Sequence, residues 1–185
     1  MDKFQEFEEL INNINDKVFK ATFQNKEAAV EYLERFVTHL ATMLDLDKMT
    51  LSDTNFVSGG LEEYFCDVVY ETHIKLKRKS KNLVRVILLF EHKKGIKSYF
   101  DLFLQLLGYI VAVWKQDRSE DRQPTIVIPL VINQGKQRLK AKTLHDTFKN
   151  IPTELLKYIP QFQFHLLNIQ PLENDVLLSL KDDGI

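Results

Sequence analysis

In the stretch LVRVILLFEHKK, residues 83–94, an apolar run broken only by Arg85 ends directly in Glu91, His92, Lys93 and Lys94. Core strands usually stop at turn formers such as Gly or Asn, so an acid and bases placed there call for a chemical reason. Side chains alternate along a strand, which puts Glu91 and Lys93 on one face, Cα atoms about 6.6 Å apart, and His92 on the other. A second acid, Asp67, stands near the start of an earlier strand-like run, CDVVYETHIKL. If the two runs form a hairpin turning near 78–82, residue i faces roughly 160 − i, and Asp67 lands within a register step or two of Glu91. Two carboxylates and an ammonium then converge where the sheet frays. Such acids suit Mg²⁺, with Mn²⁺ as its substitute, because the ion takes few protein carboxylates and completes its octahedron with water and substrate oxygens. A nearby lysine would orient and deprotonate the water and offset charge on a phosphodiester under attack.

These residues need elements to hold them. The hairpin comes from 66–76 and 83–90 joined by the short basic segment KRKSKN. Val68, Tyr70, Thr72, Ile74 and Leu76 alternate against Asp67, Val69, Glu71 and His73. SYFDLFLQLLGYIVAVWKQ, 98–116, has Ser98 as N-cap and Asp101 as its capping-box partner, which predicts a long helix. TIVIPLVIN, 125–133, is then a strand parallel to 83–90 through a right-handed crossover. The N-terminal block, 1–47, is helical. Phe4, Phe7, Leu10, Ile11 and Ile14, then Ala29, Tyr32, Leu33, Phe36, Leu40 and Leu44, recur with one-face helical spacing, and Asn25 suits an N-cap. Beyond 140 the pattern suggests a helix near 141–149, a short one near 153–158, a strand in FQFHLLNI and an acidic tail.

Composition narrows the classes. The 185 residues fit one domain, 1–185, made of a helical part (1–47), a core (54–140) and an extension (141–185). A hydrophobic fraction of 44%, a charged fraction of 28% and a single cysteine, Cys66, describe an ordinary soluble protein without a disulfide framework. No apolar run reaches the length of a membrane span, and the N-terminus lacks a secretory pattern, so the expected compartment is the cytoplasm, with no membrane partner. There is no Gly-rich phosphate loop, and therefore no nucleotide cofactor. A net charge of −1 excludes a surface that is basic throughout. Basic residues nonetheless cluster at 75–81, 93–97 and 136–142, so Lys75, Lys77, Arg78, Lys79, Lys94, Lys136 and Arg138 are candidate phosphate contacts on DNA.

The order of elements and the pattern Asp…Glu-x-Lys resemble the PD-(D/E)xK nuclease superfamily. Within it, CDVVYE, ILLFEHKKG, YFDLFLQLLGYIVAVWKQ and TIVIPLVINQGK are similar to successive blocks of the recombination-promoting nuclease family, whose members are also described as transposases of this type. NDKVFKATFQNKEAAVEYLERFV resembles that family's opening helices, and the likeness spans about residues 14–140. The resemblance implies an α/β fold with a restriction-endonuclease-like core, a mixed central β-sheet flanked by helices in the order αβββαβ. It implies Asp67 and Glu91 as metal ligands, Lys93 as the catalytic lysine, and Gln105 as a polar residue beside the active site, with Tyr109 on its face one turn later. The implied activity is a Mg²⁺-dependent deoxyribonuclease, an endonuclease tied to DNA recombination or transposition. The chain departs from the family pattern at Asn15 (for His), Cys66 (for Ser), Ser58-Gly59-Gly60 (for an acidic turn) and Asn133-Gln134 (for a Tyr-containing tail).

Other readings stay open. The fold could serve as a DNA-binding or assembly module with weakened catalysis. It could also be a protein-interaction domain in which Phe100, Phe103 and Tyr109 form a homodimer face. His92 reads as a packed or surface histidine, Trp114 as core and Cys66 as a small buried hydrophobe. His39, His73, His145 and His165 lack zinc-ligand spacing.

Overall fold

A computed structural model describes residues 17–52, 55–57, 63–65, 67–75, 85–135 and 137–168. Among these residues lie four α-helices: α1 over 17–24, α2 Lys26–Phe36, α3 Thr38–Met43 and α4 Tyr99–Ser119. The strands among the described residues are β1 Thr50–Ser52, β2 Asn55–Val57, β3 Glu63–Phe65, β4 Val68–His73, β5 Arg85–Lys93, β6 Ile126–Asn133 and β7 His165–Asn168. β2 and β3 form a separate two-stranded sheet. The other five make an open mixed sheet in the order β1-β4-β5-β6-β7, with β1, β4 and β5 antiparallel and β5, β6 and β7 parallel. Phe4 to Ile14, Cys66, Leu76 and the acidic tail lie outside the described residues, as does the 78–82 turn.

Helices cover both faces of the sheet. On one face, Phe19 and Phe23 of α1 and Tyr32 and Leu33 of α2 pack on Val68, Tyr70, Leu88 and Phe90. On the other, Leu102, Phe103, Leu106 and Val113 of α4 pack on Val69, Ile87, Leu89 and Val131. A strand covered on both sides has no polar face, which is why β5 reads as a continuous apolar run. Pro129, which cannot donate a ladder bond, stands one residue before β6 begins to pair with β7 at Leu130, where one side of the strand is less constrained.

Local signals account for the helix starts. Asn25 accepts from the Ala28 N–H at 3.0 Å, and Ser98 Oγ accepts from the Asp101 N–H at 3.2 Å. At the end of α4, buried Asp117 accepts from Arg85 at 3.0 Å and from the Thr125 N–H at 2.8 Å, which ties the helix exit to the starts of β5 and β6.

Several expectations are corrected. Val37 leaves the helical region (φ −134°), so Ala29 to Leu44 is two helices rather than one face, and Phe36 turns outward to 59% exposure. In place of a helix over 141–149 there is a single 3-10 turn, His145–Thr147. Asp146 caps Thr143, but Phe148 is extended, Asn150 has φ +59° and Pro152 follows, so nothing propagates the turn. The short helix expected near 153–158 is present, as a 3-10 helix over Thr153–Tyr158. Trp114 is 48% exposed rather than core, its Nε1 donating to Thr125 O at 2.9 Å. Phe100, Phe103 and Tyr109 do not share an exposed face, because Phe103 and Tyr109 are buried and only Phe100 points out. Among the described residues no helix is long and apolar enough to cross a membrane.

Candidate active site

The register of the β4–β5 hairpin decides the geometry. Val68 pairs with Phe90, so Asp67, one residue earlier, falls opposite Glu91 on the face shared by Val69 and Leu89. The sum of partner numbers is 158, which brings the acids closer in register than the 160 expected from the loop. The sheet does not fray here. β5 continues to pair with β6 through Lys93 and Asn133, and the Gln134 N–H donates to Lys93 O at 2.7 Å. Glu91 is consequently only 4% exposed.

A buried carboxylate needs partners, and the long helix supplies two of them. Gln105 and Tyr109 sit one turn apart on α4. Gln105 Nε2 donates to Glu91 Oε1 at 2.7 Å and to Tyr109 OH at 2.6 Å. Tyr109 OH donates in turn to Glu91 Oε2 at 3.4 Å. Lys93 Nζ donates to Glu91 Oε1 at 2.8 Å and to Gln105 Oε1 at 2.9 Å. Burial pushes the Glu91 carboxyl above the usual carboxylate range; Lys93 pulls it back, and the charge of Asp67 pushes it up again.

Asp67 is held differently. Its Oδ2 accepts the backbone N–H of His92 at 2.8 Å, and its Oδ1 lies 3.4 Å from Lys20 Nζ of α1. The lysine is half exposed. Sequence reasoning assigned no role to Lys20; the available signal was its place in NDKVFK, the segment resembling the family's opening helix. His92 points to the opposite face, as alternation requires. It stacks on Phe19 at 4.8 Å, and its Nε2 lies 2.9 Å from Gln134 Oε1.

Among the described residues no group of three or more His, Cys, Asp and Glu gathers as a metal cage. The donors present are hard oxygens, two carboxylates and the Gln105 carbonyl. The mutual repulsion of the acids is the kind a divalent cation relieves. These residues therefore fit an ion that keeps several waters, such as Mg²⁺ or Mn²⁺, better than a tetrahedral zinc.

The candidate DNA contacts divide. β5 and β6 are parallel, so exposed Lys94 comes directly after Lys93, and exposed Arg138 lies in the segment that leaves the same end of the sheet after β6. The two loops touch: a Cβ on Gly135 would stand 2.8 Å from Lys94 O. Lys75 lies eight residues from Asp67 at the far end of β4, about 26 Å away at the strand rise, so it does not join the site. Lys77, Arg78, Lys79 and Lys136 lie outside the described residues.

No curated protein and no solved structure matches the chain. A family model described as "Putative transposase, YhgA-like" does match, over residues 13–181. An open mixed sheet with a polar cluster at one end of its central strands is thus set within a sequence that follows this family almost throughout, and the chain belongs to the family described as "Putative transposase, YhgA-like".

Proposed function

We propose that the chain is a metal-dependent DNA endonuclease of the PD-(D/E)xK type, acting in the cytoplasm in DNA transposition or recombination. The observation that carries the reading is the Glu91–Lys93–Gln105 cluster, with Asp67 opposite Glu91 across the hairpin. The succession of N-terminal helices, β1, β4, β5, α4 and β6 supports a restriction-endonuclease-like core, with β2 and β3 as an insertion. The family's description as a transposase supports DNA as substrate.

In this reading Asp67 and Glu91 would hold Mg²⁺ or Mn²⁺, and the ion would supply Lewis acidity and an acidified water. The chain's own residues do the rest. Tyr109 and Gln105 fix the Glu91 carboxylate, so that little reorganisation is needed when charge develops. Gln105 also holds the Lys93 ammonium where it can orient a water and offset charge on the phosphate. The His92 amide fixes Asp67 against the same strand end.

The test is supercoiled plasmid with Mg²⁺ or Mn²⁺, an EDTA control and Lys93→Ala. Metal-dependent nicking lost in the variant supports the reading. A second reading, DNA binding without cleavage, is favoured by the partners the acids already have in Lys20, Lys93 and Gln105. It predicts duplex binding with no nicking under either metal.

A further inference from the structure

The outward side of α4 carries a regular pattern unrelated to the active site. Phe100, Leu107 and Trp114 recur every seven residues, Leu104 and Val111 do the same, and Asp101, Gly108 and Lys115 form a third row. At 3.6 residues per turn these rows lie side by side as one stripe along about 21 Å of helix. Much of the stripe is open to solvent, with Phe100 43% exposed, Leu104 50%, Val111 37% and Trp114 48%, while Leu107 and Gly108 are half-buried and β2 and β3 also lie against α4. The inward side is already used on the sheet, through Phe103, Leu106, Tyr109 and Val113. A helix of a soluble protein ordinarily keeps such a face polar, and a contiguous apolar stripe marks a contact surface.

We propose that this face pairs with the same face of a second copy, α4 antiparallel to α4, across a two-fold axis near Leu107 and Gly108. Charge and shape decide the partner and its direction. In that arrangement a residue i stands opposite residue 214 to 216 minus i of the second copy. Asp101 then meets Lys115, Leu104 meets Val111, and Phe100 meets Trp114, while Leu107 meets itself. A parallel pair would set Asp101 on Asp101 and Lys115 on Lys115.

Beside Phe100 the surface has a receptacle for the opposing indole. A groove of about 370 Å³ opens between α4 and the segment after β6, lined by Phe100, Leu104, Leu107, Phe148, Tyr158 and Pro160. Phe148 packs edge-on against Phe100 at 6.1 Å. Trp114 is a preformed knob, its ring held by the hydrogen bond to Thr125 O. A two-fold pair inserts two such indoles, one into each groove, which is the composition of a central hot spot.

Sedimentation velocity of the full chain at micromolar concentration, with circular dichroism as a check on folding, tests the proposal. Wild type should sediment as a dimer. Leu104→Glu should weaken association at least about 30-fold with the helix signal kept. Asp101→Lys should also weaken it, and Asp101→Lys combined with Lys115→Asp should recover most of the loss. In a Cys66→Ser background, Leu107→Cys should form an interchain disulfide, whereas Phe100→Cys alone should not, since the copies of residue 100 stand at opposite ends of the pair. A monomeric wild type overturns the proposal, meaning that another segment or another protein covers the stripe. A dimer indifferent to Leu104→Glu overturns it as well.

Discussion

The backbone N–H of His92 donates to Asp67 Oδ2 at 2.8 Å, which locks the acid of one strand to the strand that carries Glu91 and Lys93. The bond uses an acceptor, whereas the proposed metal uses the charge, so the two roles separate. Asp67→Asn retains an acceptor oxygen and should leave urea stability nearly unchanged while abolishing plasmid nicking. Asp67→Ala orphans the amide as well, and should cost a further 1–2 kcal/mol or so in the same denaturation experiment.

Gln105 and Tyr109 support Glu91 unequally. Gln105 bridges Glu91 and Lys93 with contacts of 2.7 and 2.9 Å, while Tyr109 reaches Glu91 only at 3.4 Å. Gln105→Ala should slow single-turnover cleavage about 10- to 100-fold, since it frees the lysine as well as the acid. Tyr109→Phe should slow it by less than about 10-fold.

DNA binding should read the two ends of the sheet differently. Lys94 and Arg138 follow the strand ends nearest the acids, and Lys75 does not. Replacing either of the first two with alanine should reduce the slope of log affinity against log salt by about 1. Lys75→Ala should leave it unchanged in a titration with a short duplex centred on the site.

The far end of β5 carries a pH-dependent clamp. Arg85 donates to Glu71 at 2.7 Å and holds its carboxyl below the usual range, with burial opposing. As pH falls, the unfolded chain takes up this proton before the folded one does. The stabilisation is therefore complete above the ordinary value of 4.5 and disappears as pH drops through the lower folded value. Glu71→Gln should lose stability at neutral pH and show a flatter decline between pH 5 and pH 3 in thermal melts.

Capping of α4 should matter to both of its faces. Ser98→Ala removes the acceptor for the Asp101 N–H and should cost about 1 kcal/mol in urea unfolding. The helix that fraying would loosen carries Gln105 as well as the outward stripe.

Elements whose signals are local were legible without coordinates. Asn25 and Ser98 cap their helices as hydrogen-bond chemistry requires, and β5 and β6 pair in parallel because a helix of 21 residues separates them. Alternation along β5 placed Glu91 and Lys93 together and His92 away from them. Features that depend on partners distant in the chain were not legible. Only the fold shows that Lys20, from α1, reaches Asp67, because the contact joins residues 47 apart in sequence. The inward or outward fate of Phe36, Phe103 and Trp114 depended on where α2 breaks and how α4 is rolled on the sheet, and apolarity says nothing about rotation. The basic segments looked alike in composition; strand direction, which only the assembled sheet defines, put Lys94 directly after Lys93 and the segment holding Arg138 beyond the same end of the sheet, with Lys75 at the other end. Residue type and period thus determined the elements and the chemistry they could carry, while the packing of helices on both faces of one mixed sheet decided which residues meet.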